Sequence, residues 1–92
     1  MAPASRATSA LDTVLEAWTL SMRAQGLADR TITERRRVIA RLAKTADPLD
    51  LTPAALTAWL ADLPTPATRH TYYTVARAWT HWLHLTGRRT DE

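Results

Sequence analysis

The chain has no cysteine, no phenylalanine, and only two glycines among its 92 residues. Without cysteine it can build neither a disulfide frame nor a thiolate metal site. Without phenylalanine, aromatic bulk in a core has to come mainly from Trp18, Trp59, Trp79 and Trp82. Gly26 and Gly87 stand far apart, so no glycine-rich loop is available to cradle a phosphate. No apolar run approaches the roughly 20 residues that span a bilayer. Residues 1–8, MAPASRAT, lack the apolar centre of a signal peptide and read as a disordered leader. These absences point to a soluble, cytoplasmic protein.

Charge is also missing in places. Residues 46–63 carry Asp47, Asp50 and Asp62 and no base, and no acid occurs between Asp62 and Asp91. Against this, residues 29–45 hold Arg30, Arg35, Arg36, Arg37, Arg41 and Lys44 with only Asp29 and Glu34 opposing them. A modest net charge of +3 therefore conceals a polarised chain with one strongly basic helix. Such an uneven charge distribution suits a polyanion better than a small substrate.

What is present reads as helix. Nearly half the residues are hydrophobic, at 46%, and their spacing is helical throughout, which predicts an all-α domain of four helices with no strand. Ninety-two residues suit a single domain. Helix 1 is expected to open at Ser9, with Asp12 three positions later as an imperfect capping box, and to stop at Gly26. Leu11, Leu15, Trp18 and Met22 form its apolar stripe. Helix 2 starts at Asp29 to Thr31, with Thr31 and Glu34 as a capping box, and fades near Asp47-Pro48. Thr52-Pro53 and Thr65-Pro66 each pair an N-cap with a proline suited to the first helical position, so they open helices 3 and 4. Helix 3 is expected to bury Leu56, Trp59, Leu60 and Leu63. Helix 4 is expected to bury Tyr72, Val75, Trp79 and Leu83 and to end at Gly87.

Projection at about 100° per residue separates the faces of the two longer candidates. On helix 2, Ile32, Val38, Ile39 and Leu42 share an arc, while Arg30, Thr33, Arg37, Arg41 and Lys44 lie opposite. Arg36 flanks the arc. Arg35 falls inside it, where a cation needs an acid or a path to solvent; Glu34 or an acid from another helix would serve. On helix 4, His70, Tyr73, Thr74, Arg77, His81 and His84 gather opposite the Trp79 stripe, with Arg69 at the margin. Guanidinium, imidazole and phenol groups on one face suit contacts to phosphates and bases.

Catalytic and metal chemistry find little support. His81 and His84 are three apart, His70 is about three turns away, and no carboxylate lies between them. There is no Gly-x-Ser-x-Gly and no carboxylate pair with an evident cleft. Tyr72 is expected in the core, and Tyr73 lacks an activating cluster. The expectation is therefore a binding protein, not an enzyme, with no metal and no cofactor.

Four segments in order carry a family pattern: the Leu-x-x-x-Trp of helix 1, GLADRTITERRRVIARL, LTPAALTAWLADL and ATRHTYYTVARAWTHWLHLTG. Over about residues 10–88 they resemble the N-terminal core-binding (SAM-like) domain of tyrosine recombinases of the phage integrase family. The resemblance rests on Gly26-Leu27 with Thr31-Ile32, on Leu51-Thr52, and on Thr68 followed by Trp79, Trp82, Leu83 and Gly87. Arg35 departs from the pattern, which has an aromatic residue there. The resemblance implies a compact four-helix SAM-like bundle lying on one face of duplex DNA in site-specific recombination. A separate C-terminal catalytic domain of the same parent chain, and other recombinase protomers on the DNA, would be its partners. It implies DNA contacts from Arg30, Thr31, Thr33, Arg36 and Arg37 on helix 2. On helix 4 it implies Thr68, Arg69, His70, Tyr73 and Arg77. The catalytic residues of that family belong to the C-terminal domain, and residues 88–92 read as the start of an interdomain linker or tail. The setting implied is the cytoplasm of a bacterial or phage-infected cell, at the nucleoid.

A different class of function also fits. Leu20 points away from the helix 1 stripe and Leu85 lies off the helix 4 core, which suits a helical module docking a partner protein through an apolar edge. A helix-turn-helix repressor fits less well, because the connection through residues 47–50 is long and helix 3 has no base.

Overall fold

The computed structural model describes residues 3–89, with side chains described from residue 10 onward. Four α-helices follow in order: α1 (Pro3–Ala24), α2 (Asp29–Leu42), α3 (Pro53–Ala61) and α4 (Pro66–Leu85). A single 3-10 turn, Pro48–Asp50, sits between α2 and α3. No strand occurs among the described residues. No helix among them is long and apolar enough to cross a membrane. The chain divides into two compact units, residues 1–36 and 37–92.

In the first unit, α1 begins well before Ser9 and includes residues 3–8 of the segment expected to be a disordered leader; residues 1 and 2 lie outside the described residues. The physical reason is the sequence between Pro3 and Ser9. It has no breaker, its alanines are strong helix formers, and Pro3 suits a first helical position. Ser9 therefore lies within the helix and is not its first residue. At the other end the expected glycine stop is present. Gly26 adopts φ +84°, its N–H donates to the Arg23 carbonyl at 3.0 Å, and the Leu27 N–H donates to the Met22 carbonyl at 3.1 Å. This paired closure satisfies carbonyls that the helix end would otherwise leave open. Among the described side chains of this unit, Leu15, Trp18, Met22 and Ile32 are the buried apolar ones.

The start of α2 lies at Asp29, with the Ile32 N–H bonded to the Ala28 carbonyl. Thr31 is thus the third helical residue and cannot act as the N-cap expected of it. Asp29 instead places a carboxylate in the first turn, where it complements the helix dipole.

The second unit opens with the rest of α2, which ends at Leu42, earlier than the expected fade near Asp47-Pro48. Between them a turn closes through the Thr45 and Ala46 N–H groups, both donating to the Leu42 carbonyl at 3.0 Å. Asp47-Pro48 opens the 3-10 turn, and the Asp47 carboxylate accepts from the Leu49 N–H at 3.0 Å. α3 and α4 start where the Thr-Pro signals place them. Thr52 Oγ accepts from the Ala55 N–H and Thr65 Oγ from the Thr68 N–H, each at 3.1 Å. α4 closes as α1 does: Gly87 at φ +75°, its N–H on the His84 carbonyl, and the Arg88 N–H on the Leu83 carbonyl at 2.8 Å.

The buried side chains of this unit include Val38, Ile39, Leu42, Leu51, Trp59, Leu63, Val75, Ala76, Trp79 and Leu83. Leu56 and Leu60 are only half-buried, so α3 contributes less to the interior than its stripe suggested. Tyr72 is half-buried too, and stacks on Trp59 with ring centroids 5.2 Å apart, joining α4 to α3. The Trp79 indole N–H donates to the Pro48 carbonyl at 2.8 Å, which anchors the 3-10 turn on α4. A buried tryptophan needs such a partner for its polar edge.

Candidate nucleic-acid interface

The candidate contact residues fall into groups that the structure treats differently. In the first unit, Arg30, Thr31 and Thr33 are exposed on α2. Arg36 is not a spare cation. Its Nη1 donates to Thr19 Oγ1 at 2.9 Å and lies 3.1 Å from Glu16 Oε2, both on α1. Thr19 is buried and its own hydroxyl donates to the Leu15 carbonyl at 2.8 Å. The hydroxyl thus gives one hydrogen bond and receives another, and Arg36 supplies the one it receives. The inter-helix acid considered for Arg35 is used by its neighbour. Arg35 itself is half-buried.

A polar cleft of about 290 Å³ adjoins this network, lined by Thr19, Arg23, Asp29, Ile32, Thr33 and Arg36. Arg23 and Asp29 were not among the expected contact residues. Asp29 brings a carboxylate to the same cleft as two guanidinium groups, which moderates its pull on an anion. The clue that was available in the sequence is Thr19, a hydroxyl next to the Trp18 and Met22 stripe that would require partners if buried.

In the second unit, Arg37 is exposed, as are Arg41 and Lys44 beyond it. On α4, His70, Tyr73 and Arg77 are exposed and follow one another at helical spacing, so they share a face. The Arg77 guanidinium lies 6.0 Å from the Tyr73 ring centroid, near the limit of a cation–π contact. No acid occurs anywhere in α4, so nothing on this helix neutralises that face. His81 is exposed and His84 half-buried, which removes His84 from the fully exposed polar surface expected of it.

Thr68 and Arg69 have local work. Thr68 Oγ1 accepts from Thr65 Oγ1 at 2.9 Å, extending the N-cap of α4. Arg69 is half-buried and donates through Nη1 to the Leu63 carbonyl at 2.9 Å, which secures the chain as it leaves α3. Charge-assisted bonds of this kind hold a guanidinium in place, so Arg69 is a bracing residue in this structure.

The first residues of the expected linker also pack. Arg88 lies over the Trp82 ring, 4.7 Å from its centroid. Arg89 is buried, and its Nη2 donates to the Leu51 carbonyl. Residues 90–92 of that segment lie outside the described residues. Sequence reasoning missed Arg89 because a basic residue beyond a helix-ending glycine carries no local sign of burial.

Comparison with known protein families, with curated proteins and with solved structures yields no match to this chain.

Proposed function

We propose that this chain binds duplex DNA as the N-terminal clamp half of a tyrosine recombinase, without catalytic residues of its own. The observation that carries the reading is the α4 face of His70, Tyr73 and Arg77, exposed, cationic and aromatic, on a helix without an acid. Arg30 and Thr33 in the first unit, and Arg37 in the second, supply further exposed donors. Such donors engage phosphate oxygens chiefly, and that positions a protein on DNA with few base contacts. Arg36 and Arg69 serve this function by bracing the helices that carry the contacting residues. In this reading the four helices adopt the SAM-like bundle of integrase core-binding domains. Strand cleavage belongs to a separate catalytic domain of the parent chain, acting with other protomers in the cytoplasm at the nucleoid.

A second reading is favoured by Leu20, 65% exposed, and Leu85, 68% exposed. A helical module that docks a partner protein would place such side chains in its interface. In the recombinase reading the same residues meet the catalytic domain or a neighbouring protomer.

Titration of the isotopically labelled protein with a mixed-sequence duplex, followed by NMR, separates the two. DNA binding shifts the amides of Arg30, Thr33, Arg37, His70, Tyr73 and Arg77 in a salt-sensitive manner. No shift on α2 or α4 under low-salt conditions rejects it.

A further inference from the structure

We propose that a cavity in the second unit takes a small organic acid, a benzene-sized apolar group carrying one carboxylate. The cavity has a volume of about 190 Å³ and is partly open to solvent. Leu51, Thr52, Pro53 and Leu56 line it from the start of α3, and Arg77, Thr80 and His81 line it from α4. Arg89 completes the lining.

Size and polarity together select the ligand. An apolar cavity of about 150 Å³ accommodates benzene, whereas sites for larger organic ligands run from about 300 Å³ upward. The recessed part of the cavity therefore matches a single ring. Leu51, Pro53 and Leu56 offer such a ring an apolar wall. Facing them, Arg77 and His81 sit four residues apart on α4, so both project from one side of the helix. Both are exposed and both can donate hydrogen bonds, whereas the Thr80 hydroxyl on the same turn gives its proton to the Ala76 carbonyl at 3.1 Å.

The lining contains no Asp or Glu. Arg89 adds a charge fixed in place by its bond to the Leu51 carbonyl. A carboxylate at the α4 side meets the Arg77 guanidinium and the His81 ring with no acid beside them, and the apolar remainder of the ligand covers the α3 side. Inorganic phosphate would use the cations and leave the apolar wall wet. A neutral ring would use the wall and leave the cations without an anion. The inference does not depend on DNA binding, although Arg77 belongs to both surfaces.

The test is an NMR titration of the whole chain with phenylacetate, run beside 2-phenylethanol and beside acetate. Phenylacetate is expected to shift the amides of Thr52, Leu56, Thr80 and His81 in a saturable way and to bind more tightly than either control. His81→Glu places a carboxylate on an exposed position and is expected to weaken phenylacetate binding roughly tenfold, about what one charge-assisted contact contributes. Arg77→Gln is expected to weaken it similarly, and an unchanged remainder of the spectrum verifies that each variant is folded. Equal binding of 2-phenylethanol or acetate, shifts away from these residues, or indifference to His81→Glu would each overturn the proposal.

Discussion

Replacing Arg36 with methionine keeps the aliphatic stem and removes the guanidinium, and the consequence follows from two contacts. The pair with Glu16 is solvent-facing, its side chains 38% and 66% exposed, so it contributes only about 0.2–1 kcal/mol. The bond to Thr19 is different, because its acceptor is a buried hydroxyl. A hydrogen bond of that kind contributes about 1 kcal/mol net, and the loss stays modest because Thr19 keeps its bond to the Leu15 carbonyl. Arg36→Met should therefore cost about 1–2 kcal/mol, a sizeable part of the stability of a chain this short. Urea unfolding followed by far-ultraviolet circular dichroism measures it. A double-mutant cycle with Thr19→Val isolates the bond, with an expected coupling of about 1 kcal/mol. Duplex affinity, measured under conditions where the variant is folded, should change less for Arg36→Met than for Arg77→Ala. If Arg36→Met is as stable as the parent and loses as much DNA affinity as Arg77→Ala, the bracing role is wrong and Arg36 is a contact residue.

Two further substitutions test the framework that holds the α4 face. Trp79→Phe removes the indole donor from the Pro48 carbonyl and leaves space in a fully buried position. It should cost about 2–4 kcal/mol by urea unfolding, from the orphaned carbonyl and the cavity together, and a loss below about 1 kcal/mol would show the bond to be dispensable. Gly87→Ala meets nothing within 4 Å, so its cost is the left-handed backbone at φ +75° alone. That amounts to about 1–2 kcal/mol, and an alanine variant of unchanged melting temperature would argue against this closure of α4.

Helix starts were legible wherever a side chain and a proline act within one turn of each other. Thr52-Pro53 and Thr65-Pro66 cap α3 and α4 as their chemistry requires, and Gly26 and Gly87 end α1 and α4 in the left-handed region. The apolar periodicity of α2 and α4 also located Ile32, Val38, Ile39, Leu42, Val75, Trp79 and Leu83 inside. Ser9 and Thr31 misled because a capping residue type is necessary for that signal but does not stop a helix from beginning earlier. Good helix formers before Ser9 moved the start of α1 upstream, whereas α2 begins at Asp29, within the expected range, and only the capping role of Thr31 is lost. The 3-10 turn was hidden because Asp47-Pro48 looks the same whether it ends one element or opens another.

For the candidate interface, projection found which residues are exposed but not which are occupied. Arg30, His70, Tyr73 and Arg77 are exposed as their helical phase requires. That Arg36 reaches Thr19 and Arg69 reaches the Leu63 carbonyl depends on partners 17 and 6 residues away, beyond what one helix's periodicity encodes. Arg89 and the Leu51 carbonyl are 38 residues apart and carry no shared pattern at all.

The central claim is that exposed cations on these helices engage the phosphates of duplex DNA. The salt dependence of binding tests it most directly, since each phosphate contact releases counterions and adds about 0.9 to the slope of log affinity against log salt. Fluorescence anisotropy of a labelled mixed-sequence duplex should give a linear, falling plot for the parent chain, and a slope shallower by about 0.9 for Arg77→Ala. A parent chain that does not bind at low salt, or an Arg77→Ala slope identical to the parent's, would contradict the account.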